Sequence, residues 1–200
     1  MIRLTKNELR DQQHKKAQLT RYLPTLCLKK ALLQAEVNQA QIEIEQLEEE
    51  HKKEEELVND FAQLMQNTNT AELLKATNIE KVTKKQENIA GVDIPIFISI
   101  KFSEATYPFL STPLWWDSAL KQLREASAAR EKVAIAKEKK RLLEKELRDV
   151  SIRVNLFEKN LIPRAERNIR KIKVFLGDQE LASVSQAKAA KRKIYLRGGR

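Results

Sequence analysis

The residues that could do chemistry on their own are few and far apart in this sequence. His14 and His51 stand 37 positions apart, and no second His or Cys near either one completes a metal site. Cys27 is the only cysteine, so it can form neither an internal disulfide nor a thiolate zinc site. The four glycines, at positions 91, 177, 198 and 199, form no phosphate loop or dinucleotide fingerprint. We therefore expect no metal, no cofactor and no catalytic residue, and interpret the chain as one that works through shape and contacts.

The composition narrows the class of protein further. The chain has 200 residues, with 38 Lys and Arg against 28 Asp and Glu, and a formal net charge of +10. Its longest nearly apolar run, from Ile94 to Ile100, is far short of the roughly 20 residues of a membrane span. The charged amino terminus predicts no signal peptide and no direct membrane insertion, and the lone cysteine fits a reducing compartment. A third of the residues are charged and 6% are aromatic, which favours long helices over a compact α/β domain.

Two long segments carry apolar residues at the spacing of a coiled coil. A strict 3.5-residue average keeps one stripe of a helix against a partner helix. The first stripe is broken only by Lys30, His51 and Glu54, and the second only by Lys140. We call them the first seam (positions 19, 23, 26, 30, 33, 37, 40, 44, 47, 51, 54, 58, 61 and 65) and the second seam (positions 126, 129, 133, 136, 140, 143, 147, 150, 154, 157 and 161). They predict an all-α fold built on two long helices.

Capping signals predict where these helices begin and end. Thr5 and Glu8 form a capping-box pattern, which would start the first helix at Lys6. Thr112 followed by Pro113 predicts the start of the second helix, with proline at the first helical position. The predicted organisation is a coiled-coil helix over 5–66, a connection over 67–112, a second coiled-coil helix over 113–176 and a basic tail over 177–200.

The two helices are predicted to form an antiparallel hairpin, because neither can bury its seam alone. Aligning their inner ends places residues opposite each other when their numbers sum to about 179. Pro24 then lies opposite about residue 155, within a few turns of Pro163. Since each proline removes an intrahelical hydrogen bond, we expect the pair to bend at this level.

The connection between the helices changes to the period of a β-strand. Five alternating apolar residues predict one strand face, namely Ile94, Ile96, Ile98, Ile100 and Phe102. A turn around Gly91 would pair this strand with an earlier one near residues 79–86. Since this hairpin lies between the two helices in the sequence, we expect it beyond the seam. Because a two-stranded hairpin is only marginally stable alone, it should pack against the helix tip or a partner subunit. Its seat would be a small satellite core or, alternatively, a partner-binding patch, formed by Tyr107, Phe109, Leu110, Trp115 and Trp116.

One end of the predicted hairpin gathers positive charge. Residues 1–24 carry a net charge of +4 and residues 155–200 carry +8, whereas residues 36–60 carry −8. We interpret the glutamates of residues 48–56 as a solvated helix face. The basic end calls for a different explanation, because placing two basic segments together costs repulsion that an acidic partner would offset.

Several short motifs resemble those of one family. The run RVNLFEKNLIP, from Arg153 to Pro163, and the following NIRKI, from Asn168 to Ile172, are similar to the family's Arg-Val-Asn-Ala-Leu-Glu, Ile-Pro and Ile-x-x-Ile pattern. The run ENIAGVDIP, which ends at Pro95, resembles its central hairpin, Asn-Val-Met-Gly-Val-x-Val-Pro. Thr5-Lys6 and the LCLKK of residues 26–30 are similar to its amino-terminal segment. The chain thus resembles the D subunit of V-type ATP synthases, the central rotor shaft.

The resemblance implies a non-catalytic rotor protein. Its two termini would insert into a ring of alternating catalytic A and nucleotide-binding B subunits. Its other end would couple, through another central stalk subunit of the F type and a membrane-rotor connector, to an ion-translocating rotor. Such a protein is cytoplasmic and peripheral to the membrane, and it transmits torque between ATP synthesis or hydrolysis and proton or sodium transport.

The resemblance and the charge distribution together suggest two sets of interface residues. The set facing the ring is expected to comprise Thr5, Lys6, Arg153, Asn155, Glu158, Arg164, Arg167, Arg170 and Lys171. The set facing the other stalk subunit is expected to comprise Gly91, Ile94, Pro95, Ile96 and Ile98.

Two other classes of protein share this composition. A basic coiled coil could bind nucleic acid, neutralising phosphates with residues such as Lys188, Lys191 and Arg192. A scaffold or the stalk of a secretion apparatus would also contain long charged helices. Neither alternative requires the Gly-Val-x-Ile-Pro hairpin or the Asn-x-x-Glu and Ile-Pro series, whereas the rotor interpretation involves no nucleic acid.

Overall fold

The computed structural model describes residues 2–65, 71–104 and 113–197, without the side chains of residues 61–65, 71 and 72. Its elements are α1 (Lys6–Met65), α2 (Ala71–Ala76), β1 (Ile79–Ile89), β2 (Val92–Phe102), α3 (Trp116–Asn155), a π-helical turn (Leu156–Leu161, the π turn) and α4 (Ile162–Arg197). The predicted fold class, two long helical stretches with a small β-hairpin between them, is confirmed. The chain divides into two compact units, residues 1–29 with 150–200 (the terminal unit) and residues 30–149 (the central unit).

The first helix begins where its cap predicts. The Thr5 hydroxyl accepts a hydrogen bond from the Glu8 amide at 3.3 Å, and the Thr5 carbonyl accepts the first helical bond from Leu9. The Glu8 carboxylate, which was predicted to bond the Thr5 amide, instead accepts a bond from the side chain of Gln12 at 2.9 Å. One half of the capping box is therefore present, and it is enough to start α1 at Lys6.

The second long helix begins at Trp116, and the prediction that it starts at Pro113 is wrong by three residues. The Trp116 amide donates to the Pro113 carbonyl and closes a turn, and the first α-helical bond runs from Ala119 to Trp115. The indole of Trp116 is buried in a small core, which also contains Leu73, Ala76, Ala119 and Leu120 and is flanked by Trp115 and Leu123. Packing of Trp116 therefore sets this boundary. Thr112 and three of the predicted seat residues, Tyr107, Phe109 and Leu110, lie outside the described residues.

The central unit is built on the two predicted seams. The buried seam residues are Leu33, Val37, Ala40 and Ile44 on α1, and Ala129, Val133, Ala136 and Leu143 on α3. Where Lys140 interrupts the second seam, its ammonium donates to the Gln41 side chain at 2.7 Å. Lys139 and Glu43, also 2.7 Å apart, lie beside it. Because a polar seam residue that needs a partner penalises other alignments, these contacts help fix the antiparallel register.

The terminal unit continues the same packing. Val150 and Val154 of α3 and Ala165 and Ile172 of α4 are buried, while the α1 seam positions 19, 23 and 26 are half-buried. Gln12 contacts Asn168 at 3.3 Å and Lys16 contacts Glu166 at 2.9 Å. Both pairs lie within three residues of the predicted register, in which facing numbers sum to about 179.

The π turn changes the phase of the second seam by one residue. If the second seam continued beyond Leu161 with its alternating steps of three and four residues, it would include Arg164 and Lys171. Both of these residues are exposed. Ala165 and Ile172 are buried instead. A π-helical turn takes up one more residue than an α-helical turn, as the bond from the Ile162 amide to the Phe157 carbonyl shows. The extra residue therefore keeps basic side chains out of the seam.

We predict that the chain tolerates loss of one residue in the π turn and not elsewhere in the seam. Deleting Asn160, in a Pro163→Ala background that avoids a proline inside a regular helix, places Ile162, Ala165, Ile169 and Ile172 on one unbroken 3.5-residue stripe. Thermal unfolding followed by circular dichroism should change little. Deleting the exposed Lys145 in the same background should lower the melting temperature strongly, because every seam residue beyond it moves out of phase. Equal melting temperatures for the two deletions would contradict this account.

Candidate interaction surfaces

All nine residues predicted to face a ring are exposed in the terminal unit. They do not form one cluster. Lys6 lies 3.8 Å from Glu180, whereas Arg153 precedes Glu180 by 27 residues, or roughly 40 Å of helix. Arg164, Arg167 and Lys171 lie within about 60° of one another on α4, and Arg170 flanks them. This basic stripe is the concentrated part of the predicted set.

A basic groove between α1 and α4 adds residues that the sequence analysis did not identify. Lys16, Arg21 and Lys173 line a groove of about 580 Å³, with Ala17 and Ile169 among its apolar walls. These cations come together only through the antiparallel register. Combining that register with the positions of Lys and Arg on both helices is the signal that could have found them.

The Lys16–Glu166 pair is the main ion pair of this region. The hydrogen bond from Lys16, followed by the Lys16 charge and more weakly by that of Arg170, lowers the pKa of Glu166. Lys137 lowers the pKa of Glu48 in the same way, and their contact is 2.7 Å. Both carboxylates are solvent-exposed, so the pairs contribute modestly to stability. Because the pKa is lower in the folded protein, that contribution is present above the ordinary glutamate value and is lost as the pH falls through the lowered one.

The last part of α4 is exposed throughout. From Leu181 to Arg197 every side chain is open to solvent, including Leu181, Val184 and Ile194. Five cations lie along it, with Lys191 placed 5.9 Å from the centre of the Tyr195 ring. The helix passes through Gly177 without a break, and a Cβ there would meet no atom within 4 Å apart from its chain neighbours and the nearby backbone of its own helix. This segment, like the basic stripe, is available to an acidic partner.

The β-hairpin is closed by a two-residue turn. Ala90 and Gly91 both have positive φ, 51° and 82°, as a tight hairpin turn requires. The Asn88 side chain accepts a bond from the Gly91 amide and donates to Asp93 at 2.7 Å. Gly91 is exposed, so this turn is one of the free surfaces of the hairpin.

The other hairpin residues predicted to face a stalk partner vary widely in exposure. Ile94 is fully buried at 0%, Pro95 and Ile96 are half-buried, and Ile98 is 54% exposed. The prediction that the five alternating apolar residues from Ile94 to Phe102 share one strand face is wrong, because β2 carries a bulge at Ile98. Thr83 pairs with Ser99 and Lys84 with Phe97, which leaves Ile98 as the extra residue. Gly91 and Ile98 are therefore the accessible members of this set.

The hairpin lies along the side of α3, and the prediction that it sits beyond the seam is wrong. Lys84 forms an ion pair with Glu138 at 3.2 Å, and Lys132 lies 5.8 Å from the centre of the Phe97 ring. Ile135, which is buried but is not a seam position, lines a groove with residues of β2. The hairpin thus covers a side of α3 that lies outside the seam, because a two-stranded sheet needs a surface to pack against.

Neither a metal site nor a membrane span is found among residues 2–65, 71–104 and 113–197. No group of three or more His, Cys, Asp or Glu side chains in these ranges is placed to hold an ion. No helix within them is both long enough and apolar enough to cross a bilayer.

The geometry defines an antiparallel two-helix coiled coil with a basic terminal unit and a β-hairpin packed on one helix. The sequence model of the ATP synthase D-subunit family matches residues 8–192. The V-type ATP synthase D subunit of Chlamydia felis is 44% identical over 197 residues, 98% of this chain and 95% of that protein. Its counterpart in Chlamydia pneumoniae is 42% identical over 200 residues, 100% of this chain and 96% of that protein. The chain therefore belongs to the ATP synthase D-subunit family, and the resemblance seen in its motifs is confirmed.

We predict that replacing Lys16 raises the pKa of Glu166 towards its ordinary range, with the weaker effect of Arg170 remaining. In Lys16→Met the hydrogen bond and the nearby charge that lower this pKa are both removed. The carboxyl carbon of Glu166, followed by NMR during an acid titration, should titrate at higher pH than in the parent. Glu48 is an internal control, since its partner Lys137 is unchanged. An unaltered Glu166 titration would show that Lys16 is not its effective partner.

Proposed function

We propose that this protein is a non-catalytic central stalk subunit of a V-type ATP synthase or ATPase and carries torque between a catalytic ring and a membrane ion rotor. Its membership of the D-subunit family supports this role most directly. The relatives in Chlamydia are named as subunits of such a complex, which implies a protein that acts with partners. The synthesis or hydrolysis of ATP would take place in other subunits and be coupled to proton or sodium transport.

The packing of the two helices suits a part that transmits torque. Seam residues are buried in each unit, among them Leu33 in the central unit and Val150 in the terminal unit, and the polar interruption at Lys140 is bonded across the helix pair. Interiors packed in this way resist deformation, so one helix cannot turn without the other. Rotation of such a shaft would present a different face to each catalytic site in turn and shift its nucleotide affinity.

The charges and surfaces suggest where the partners bind. The basic stripe, Arg21 and the exposed end of α4 would lie inside the ring of A and B subunits, against acidic loops. The hairpin, through Gly91 and Ile98, would face another stalk subunit of the F type. A membrane-rotor connector would bind beyond it, which makes the protein peripheral to the membrane. In this proposal nucleic acid is not a partner.

We predict that reversing the charge of the basic stripe impairs ring assembly without unfolding the chain. The variant Arg164→Glu, Arg167→Glu, Arg170→Glu and Lys171→Glu changes only exposed positions, so its melting temperature should stay near that of the parent. Binding to the A and B subunits, measured by co-purification and by ATP turnover at physiological salt, should fall at least about tenfold.

The matched control makes the same change in charge in the central unit, at four exposed lysines. Lys52, Lys53, Lys121 and Lys145 replaced by Glu should leave ring binding unchanged. Normal assembly and turnover of the stripe variant would count against the proposal that the basic stripe binds acidic loops inside the ring. If the parent binds nucleic acid and the variant loses this binding in a salt-sensitive way, the nucleic-acid alternative would gain support instead.

A further inference from the structure

Arg124 of α3 contacts three backbone or ring groups at the root of the hairpin. Its guanidinium donates two hydrogen bonds to the Ala76 carbonyl, at 3.1 and 2.9 Å, and one to the Ser103 carbonyl, at 2.8 Å. It also lies 5.3 Å from the centre of the Phe102 ring. Ala76 ends α2 just before β1, and Ser103 directly follows β2. One side chain therefore holds both ends of the hairpin against α3.

The contacts of Arg124 require an arginine. A guanidinium is planar and presents several N–H donors in fixed directions, and its face stacks on aromatic rings. The last carbonyls of a helix lack donors within that helix, so the Ala76 carbonyl at the end of α2 gains a partner that α2 cannot supply. Lysine would keep the charge but lose the fork and the flat face over Phe102.

The two ends of the hairpin are also bonded to each other. The Ser103 amide donates to the Asn78 carbonyl at 3.0 Å, and the Ser103 hydroxyl donates to the Lys75 carbonyl at 2.6 Å. These bonds join the end of β2 to the segment between α2 and β1. Arg124 fastens this joined root to α3 and is a polar link between the root and the coiled coil.

Two polar contacts farther along the hairpin are more exposed. The side chains of Lys84 and Glu138 are 41% and 42% exposed, so their ion pair contributes little to holding the hairpin in place. Lys132 over Phe97 adds a weak attraction at 5.8 Å. Pro95, Ile96 and Phe97 of β2 line a groove with Ile135 of α3, so this part of β2 lies against the helix. Arg124 adds hydrogen bonds at the root, where both ends of the hairpin meet α3.

We propose that Arg124 is a positioning residue that makes the hairpin rigid with α3, so that a force applied to the hairpin is carried into the coiled coil. The load-carrying part of this inference rests on the proposed function, in which another stalk subunit engages the hairpin. The attachment of the hairpin to α3 by Arg124, which we call the clamp, is a property of the isolated chain and can be tested without any partner.

The clamp is tested in the full chain by measuring a distance between the hairpin and α3. Spin labels are attached at Glu87→Cys and Lys145→Cys in a Cys27→Ser background, at two exposed positions of the central unit. Arg124→Met should broaden the distance distribution, and Arg124→Lys should broaden it less while keeping full helical content. The control Lys84→Met, which removes an exposed pair on the same hairpin, should leave the distribution narrow. A narrow distribution in both Arg124 variants would overturn the clamp.

The transmission of force from the hairpin through Arg124 into the coiled coil, which we call the load path, is tested in the assembled complex. Arg124→Lys should bind the ring and the other stalk subunit as the parent does, yet show a loss of ions transported per ATP hydrolysed. Lys84→Met should show no such loss. Full coupling by an Arg124→Lys complex whose hairpin is shown to be loosened would overturn the load path. If the parent chain binds no ring subunits at all, the proposed function fails, while the distance measurement still decides the clamp.

Discussion

The phase of the apolar seam is the constraint on which the rest of this structure depends. In a helix pair of this kind, a shift of the sequence by one residue turns the buried face by about 100°, which takes some residues out of the seam and brings others in. The π turn makes such a shift between Leu161 and Ala165. Without it, Arg164 and Lys171 would face α1 and bury charge at high cost. With it, Ile172 fills the seam and the basic stripe points to solvent.

The same constraint explains the position of the hairpin. The seam uses one face of α3, and Ile135 is buried outside the seam, in a groove that it lines with residues of β2. A two-stranded sheet is too small to be stable alone, so the hairpin needs the surface of α3 to pack against. In return, the hairpin shields Ile135 of α3 from solvent. Arg124 then ties the root of the hairpin to the helix. A partner that binds Gly91 or Ile98 would therefore act on a surface that is fixed to the coiled coil.

Much of the fold could be predicted from the sequence, because spacing alone sets which helix face is buried. The seam positions followed from the spacing, the start of α1 at Lys6 from its capping residue, and the antiparallel register from aligning the inner ends of the two helices. The π turn did not, since a helix can absorb an added residue in several ways and packing chooses among them. The bulge at Ile98 and the start of α3 at Trp116 likewise depend on tertiary contacts. Family motifs predicted the family of the chain, but neither they nor the spacing revealed the groove around Arg21 or the contacts of Arg124.

Rotation inside the ring is the central claim, and Cys27 allows a direct test of it. Its thiol is exposed on α1, beside the seam residue Leu26. In a complex that carries a second cysteine on the facing loop of the ring, oxidation should link the two thiols and stop multiple-turnover ATP hydrolysis, and a reductant should restore it. The same complex with Cys27→Ser should keep its activity under oxidation. Full activity in a sample that a gel shows to be completely cross-linked would contradict a turning shaft.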